Sequence, residues 1–161
     1  MPSIHFRPAR LDEVPSLAQL RSENEAGGAT PDRMLGYLAA THHPQQAQLP
    51  RAMWVALQGD AAIGYVAGHL TSRFGCDGEL EWIYVVASHR RQRVGSGLLR
   101  LLAAWLVERS ATRVCVDVGD EMARPFYARY GAVALDRHWM VWNDIHEVVA
   151  STDAAATNGT E

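Results

Sequence analysis

The stretch ELEWIYVVASHRRQRVGSGLLRLLAAWLVE, Glu79 to Glu108, constrains the fold more than any other part of the chain. An apolar run with Ile83, Val85 and Val86 passes through a turn of arginines and a Gly95-Ser96-Gly97 step. It continues without a break into Leu98, Leu99, Leu101, Leu102 and Leu106. The first pattern predicts a strand and the last a buried helix. A strand that delivers two glycines to a helix N-terminus builds a cradle of backbone N–H groups without intrahelical acceptors, and such a cradle favours phosphate. His89, Arg90, Arg91 and Arg93 concentrate positive charge beside it. Three guanidiniums there oppose the helix dipole, so a bound anion would offset a cost of about 0.3–1 kcal/mol each. The plainer reading of the same run is a solvated turn.

Gln92-Arg93-Val94-Gly95-Ser96-Gly97 fits the pattern Gln/Arg-x-x-Gly-x-Gly/Ala. The string alone is weak, and the strand before it and the helix after it carry the reading. Other phosphate loops do not fit: no Gly-Lys-Ser/Thr follows, and the third glycine of a dinucleotide fingerprint would fall at Arg100. A pyrophosphate loop of another kind remains.

A chain of 161 residues, 48% of them hydrophobic, buries roughly two-thirds of its unfolded surface and needs neither disulfide nor metal to fold. One domain is expected over 1–147, with 148–161 a disordered tail, because the STDAAATNGTE that follows Ala150 is too small and polar to add to a core. A net charge of −3 excludes a broad basic surface for nucleic acid or anionic membrane. Cys76 and Cys115 are too few for a disulfide framework. With no signal-peptide pattern, and with Arg100 interrupting the longest apolar run, a cytoplasmic location is expected.

Along the chain, Ser3 to Arg7 reads as a first strand. Asp12 is placed to cap a helix with Pro15 in its first turn, running to Asn24 and ended by Gly27-Gly28. Thr30 and Pro31 open a second helix, stopped at His42-His43-Pro44, and QQAQLP after it reads as loop. Met53–Leu57 and Ile63–Leu70 pair around Gln58-Gly59-Asp60, with Tyr65, Ala67 and His69 alternating against Val66, Gly68 and Leu70. A strand Leu80–Ala87, a helix Gly95–Arg109 and a buried strand Arg113–Val118 follow. Glu121–Tyr130 reads as a helix closed by Gly131, and Val133–Leu135 and Trp139–Trp142 as final strands.

The order of strand, QRVGSG loop, long helix, VCVDV strand and DEMARPFYARYGAV resembles the GNAT superfamily of N-acetyltransferases over about Leu80 to Trp142. The two helices and hairpin before it fit that family's N-terminal half. The resemblance implies an α/β fold of mixed α+β type, with a central mixed sheet of six to seven strands and helices on both faces. It implies acetyl-CoA as cosubstrate, no metal, and cofactor contacts at Val85, Val86 and Ala87, at Gln92, Arg93, Val94, Gly95, Ser96, Gly97 and Leu98, and at Asp120 and Tyr127. Of the family's late-helix pattern, Asn-x-x-Ala-x-x-Phe/Leu-Tyr-x-x-x-Gly-Phe, this chain supplies Ala123, Phe126, Tyr127 and Gly131. Asp120 stands where Asn is usual, which weakens one expected polar contact to the cofactor arm, and Ala132 where a bulky apolar residue is usual.

Acetyl transfer to an amine needs a base, because a free alkylamine holds its proton up to about pH 10.4. Glu81 lies eleven positions before Gln92, the spacing of the catalytic glutamate in histone-type relatives. The competing readings are a solvated strand face shared by Glu79 and Glu81, or an ordered water with a distant base. The resemblance gives Tyr127 the role of general acid and Val85 to Ala87 that of oxyanion donors. Arg91 and Arg93 are expected as electrostatic helpers, and Arg124 near the cofactor's other phosphate. Acceptor selection is expected from Glu23–Leu38, Arg73–Glu79 and Asp136–Trp142, whose Glu23, Glu25, Asp77 and Glu79 favour a cationic amine. Three functions stay open. They are an N-acetyltransferase acting by direct attack on a small-molecule or peptide amine, a noncatalytic acyl-CoA sensor, and, last, a nucleic-acid binder. A homodimer is left open as well. His42 and His43 are adjacent rather than at metal-ligand spacing, and Cys115 reads as core.

Overall fold

The computed structural model of the protein describes residues 3–24, 30–44, 46–119 and 121–151. Strand β1 (Ile4–Pro8) leads through a 3-10 turn, Leu11–Glu13, into α1 (Val14–Asn24) and then α2 (Pro31–Leu38). β2 (Gln48–Gln58) and β3 (Ala61–Leu70) form the hairpin, and β4 (Gly78–Val85) leads to α3 (Val94–Glu108). β5 (Val114–Asp117), α4 (Arg124–Arg129), β6 (Val133–Ala134), β7 (Trp139–Trp142) and α5 (His146–Ala150) complete the order. The seven strands make one sheet, β1-β2-β3-β4-β5-β7-β6, antiparallel throughout except for the β4–β5 pair. This is the mixed α/β sheet that the sequence predicts.

Alternation along β3 sends its side chains to two cores. Tyr65 and Ala67 join Val14, Leu17, Met34 and Tyr37 beneath α1 and α2. Val66 joins Leu98, Leu99, Leu102 and Leu106 of α3 on the opposite face, where each buried leucine contributes about 1.5–3 kcal/mol. Gly68 lets α3 approach, since a Cβ there would lie 2.6 Å from Leu102 Cδ1. Among the described residues, no helix is long and apolar enough to cross a membrane.

Several boundaries differ from expectation. Asp12 does not cap α1. Glu13 instead closes the start of the preceding 3-10 turn, accepting the Arg10 N–H at 2.7 Å while Arg7 holds both its oxygens; the Arg7 bond also keeps the Glu13 carboxyl below its ordinary range. Helix α2 starts at the expected Thr30 cap but ends at Leu38, well before His42, because Gly36 brings the chain back: its carbonyl accepts both Thr41 and His42 N–H groups. The expected QQAQLP loop is partly strand, for Gln48 pairs with Leu70 and Pro50 is accommodated at a register shift between Gln48 and Arg51. β4 begins and ends two residues earlier than expected, and Ala87–His89 form a 3-10 turn. The expected limit at residue 147 falls inside α5, whose Val148 is fully buried in the α3-side core, so the packed chain reaches Ala150. The remainder of the expected tail, 152–161, and the Gly27-Gly28 helix stop lie outside the described residues.

Candidate active site

Two irregularities of β4 open the site. β4 pairs with β5 only at Gly78, Glu79 and Leu80, opposite Val114, Cys115 and Val116, and beyond Leu80 the strands part. On its other side β4 faces β3 with Leu80 opposite Gly68 and Trp82 opposite Ala67, which leaves Glu81 as the extra residue of a β-bulge. A bulge re-aims one side chain and is a recurrent device beside functional sites. The parting leaves a cleft of about 880 Å³ lined by Glu79 to Val85 on one wall, Asp117, Val118, Gly119 and Tyr127 on the other, and Arg90, Arg91 and Gly95 at one end.

The ladder with β3 decides which β4 amides serve the cleft. Tyr84 stands opposite Tyr65, and the Val86 N–H donates to the Ile63 carbonyl at 2.9 Å. By antiparallel alternation, the intervening N–H groups of Ile83 and Val85 point away from β3, into the gap that β5 has left. Val86 is therefore corrected as an expected donor, because its amide is spent inside the sheet. Ala87 is exposed at the start of the 3-10 turn.

At the arginine end, Arg91 and Arg93 both adopt left-handed backbone, with φ of 64° each. Non-glycine residues hold that conformation at a cost that functional loops often store. Arg93 is the N-cap of α3 and makes no side-chain cap bond, and the Gly97 N–H to the Arg93 carbonyl, 3.1 Å, is the first-turn helical bond. The side chains of Val94, Ser96 and Leu98 are buried, and the Ser96 hydroxyl donates to the Arg93 carbonyl at 3.2 Å. What this segment offers a ligand is backbone. Gly97 has a second use: a Cβ there would lie 2.6 Å from Cζ of Phe6, so its missing side chain seats α3 on β1. Arg90 turns back to the Val85 carbonyl at 2.8 Å. Arg124 is held by Glu121 at 3.1 Å and by the Arg137 carbonyl at 2.8 Å, which commits it locally. Asp120 lies outside the described residues.

At the other end Glu79 and Glu81 are not a solvated face. Glu79 is buried and accepts from Arg73 Nε at 2.9 Å. Glu81 keeps a side-chain exposure of 16% toward the cleft; burial first, and the neighbouring Glu79 charge second, push its carboxyl up to about 7, against the pull of Arg73 and Arg51. Below both lies a residue that sequence reasoning took for strand alternation alone. His69 is fully buried, its Nδ1 2.6 Å from the Tyr37 hydroxyl and 3.9 Å from Glu81, its Nε2 3.6 Å from Glu79. A tautomer with hydrogen on Nε2 faces the Glu79 carboxylate and accepts the Tyr37 proton on Nδ1, which suits both contacts. A histidine in the otherwise apolar AIGYVAGHL was the available signal.

Tyr127 is 4% exposed on the facing wall, edge-on to Trp142 and Phe126. Burial raises its phenol well above the ordinary range, so it stays protonated at neutral pH. Tyr130 is core, as expected. Trp82 lines the cleft edge-on to Tyr37, whereas Trp142 is buried and Trp139 lies under Arg73 and against Phe74. The acidic bias expected for acceptor selection is largely spent within the protein: Glu79 on Arg73, and Asp77 on the N–H groups of Thr112 and Arg113. The Glu23 side chain and Glu25 lie outside the described residues. Cys76 and Cys115 share a small buried cluster with Val141, and burial raises both thiols.

The profile of the acetyltransferase (GNAT) family matches residues 18–132. Solved structures with the same fold include Ard1 from Thermoplasma volcanium, 17% identical with a TM-score of 0.68, covering 86% of this chain and 94% of that one. An acetyltransferase from Thermus thermophilus is 16% identical with a TM-score of 0.64, over 88% and 98% of the two chains. PaiA N-acetyltransferase from Thermoplasma acidophilum, solved with coenzyme A, is 12% identical with a TM-score of 0.62, over 86% and 98%. No curated protein matches the sequence significantly.

Proposed function

Because this chain belongs to the acetyltransferase (GNAT) family, we propose that the β4–β5 cleft takes acetyl-CoA and that its acetyl group passes to a primary amine by direct attack. The observation that carries the reading is the departure of β5 from β4 beside the α3 N-terminus, with the bulged Glu81 on the same wall. The coenzyme A bound to the PaiA relative supports the choice of carrier. The residues present fit it: amides of Gln92 to Ser96 would hold the diphosphate, the Gly97 N–H being taken by the Arg93 carbonyl, with Arg91 and Arg93 adding charge, and outward amides of Ile83 and Val85 would meet the arm.

In the transfer, the amine nitrogen attacks the thioester carbonyl carbon and the carbon–sulfur bond breaks. The proton lost from nitrogen goes to Glu81, directly or through one water. A carboxyl held near 7 is ionised often enough to accept it and basic enough to want it. Tyr127, protonated and lining the same cleft as Glu81, donates to the departing thiolate. The thiol's ordinary pKa of about 8.5 makes that help useful rather than essential.

The test combines amide chemical shifts with turnover. Coenzyme A titrated into labelled protein should move the amides of Gln92 to Gly97, and acetyl-CoA with an amine panel should release thiol. Shifts without thiol release on any amine would identify a noncatalytic acyl-CoA sensor. Ligand settling elsewhere would remove the reading.

A further inference from the structure

Arg21 is the one cation of the cleft wall contributed by α1. Its guanidinium lies over the Tyr84 ring, 5.7 Å from the centroid, and its Nε is shut from solvent with no hydrogen-bond partner. Among the described residues it forms no ion pair and no hydrogen bond, unlike Arg7, Arg51, Arg73 and Arg124, whose guanidiniums are all held by carboxylates, carbonyls or a histidine. A buried guanidinium nitrogen without an acceptor is costly, and the side chain that carries the group's remaining donors lines the cleft. The ring beneath it fixes the position without consuming any of those donors.

Its place relative to the chemistry is legible from its neighbours. Tyr84 sits on β4 between Ile83 and Val85, the two residues whose amides face the gap. The charge of Arg21 also reaches the Tyr127 hydroxyl, which it works to acidify against the effect of burial. The cation therefore stands over the stretch of cleft bounded by Tyr127 and β4, on the same wall system as Glu81. Of the cleft's other carboxylates, Glu79 is held by Arg73, and Asp117, on the facing wall, accepts the Gly119 N–H at 3.1 Å.

We propose that Arg21 anchors a carboxylate of the acetyl acceptor, so that the substrate is an amino acid or a related amine bearing a free carboxylate, bound with nitrogen toward Glu81 and the acid group toward Arg21. The inference rests on the acetyltransferase reading of the cleft. A guanidinium and a carboxyl able to ionise, set in one cleft, complement a zwitterion better than a polyamine, whose second cation would meet Arg21. This replaces the plain cationic amine expected from sequence.

Matched acceptors test it: free amino acids against the corresponding carboxamides and decarboxylated amines, with the parent chain, Arg21→Lys and Arg21→Gln. The parent should prefer the free acids. Arg21→Gln should raise KM for them by about 10- to 100-fold, the usual value of a charge-assisted contact. It should leave KM for the decarboxylated amines and for acetyl-CoA unchanged, while Arg21→Lys keeps part of the preference. A parent that favours decarboxylated amines, or an Arg21→Gln chain that loses acids and amines equally, overturns the proposal. A raised KM for acetyl-CoA alone would overturn it in favour of an arginine serving the cofactor. Binding of N-acetylated amino acids, followed by calorimetry, separates this failure from failure of the acetyltransferase reading. Loss of that binding in Arg21→Gln supports the anchor even in a chain that turns over nothing, and unchanged binding overturns it.

Discussion

The two ends of the cleft are built on opposite plans. At the α3 end the protein presents backbone: Val94, Ser96 and Leu98 turn their side chains into the core, and left-handed Arg91 and Arg93 set the path of the loop. At the β4 bulge it presents side chains, Glu81 above buried Glu79, His69 and Tyr37 and half-buried Arg73, whose charges and hydrogen bonds are coupled. A backbone site tolerates substitution so long as the path survives. A coupled side-chain site responds to the loss of any one member, and the response travels to the others.

The largest expected break of that contrast is Glu81→Gln. Removing a general base costs about 10²–10⁴ in rate, and kcat/KM of the parent should rise with pH through about 7, a limb that the variant loses. Stability should move the other way. The Glu81 carboxyl is raised from 4.5 to about 7 on folding, so the penalty for its charge is absent below about pH 4.5, builds as pH rises, and is complete above about 7. Glu81→Gln should raise Tm at pH 8 and leave it unchanged at pH 4.5. A rate and pH profile equal to the parent's would move the base elsewhere.

Gly97→Ala asks whether the α3 end is as purely a backbone site as it looks. The added Cβ would meet Phe6 at 2.6 Å, and overpacking of this kind costs about 1–3 kcal/mol, against roughly 1 kcal/mol regained in helix propensity. A lowered Tm that Phe6→Leu restores, with coenzyme A affinity unchanged throughout, assigns the glycine to packing. Lost affinity with Tm intact assigns it to the ligand instead.

The same contrast explains what sequence could show. The strand, the QRVGSG loop and the apolar helix are contiguous, so one window of residues carries their register and termini, and α3 begins within a residue of expectation. The carboxylate cluster is assembled across 32 positions between Tyr37 and His69, and no local period reports such a contact. Period-two reasoning put Glu79 and Glu81 on one face in water, and two facts it lacked changed the outcome: Arg73 folds over Glu79, and the bulge at Glu81 resets the alternation so that Trp82 and Tyr84 return to the α1–α2 side. Val86 follows the same lesson, since which amides a strand leaves free depends on its ladder rather than its sequence. α5 was missed because a single turn bearing Val148 is too short for a helical period to register.

Tyr37→Phe probes the coupling itself. It strands His69 Nδ1, for which the hydroxyl is the only hydrogen-bond partner among the described residues, at a cost of about 1–3 kcal/mol. If the buried set acts as a unit, the pH midpoint of kcat/KM should move along with Tm. A fall in Tm with the midpoint unmoved would make His69 a core group independent of Glu81.

Tyr127→Phe should have the smallest effect, and its pH dependence distinguishes acid catalysis from packing. The ring contacts with Trp142 and Phe126 survive in the variant, and the hydroxyl has no hydrogen-bond partner among the described residues to leave stranded, so Tm should hold. Because a thiol of pKa about 8.5 is a fair leaving group, kcat should fall only about 10-fold near pH 7. That deficit should shrink as pH passes about 8.5, where the thiolate departs without needing a proton. A deficit constant across pH would assign the hydroxyl to positioning the thioester, and no deficit at all would leave Glu81 and the β4 amides as the whole of the catalytic apparatus.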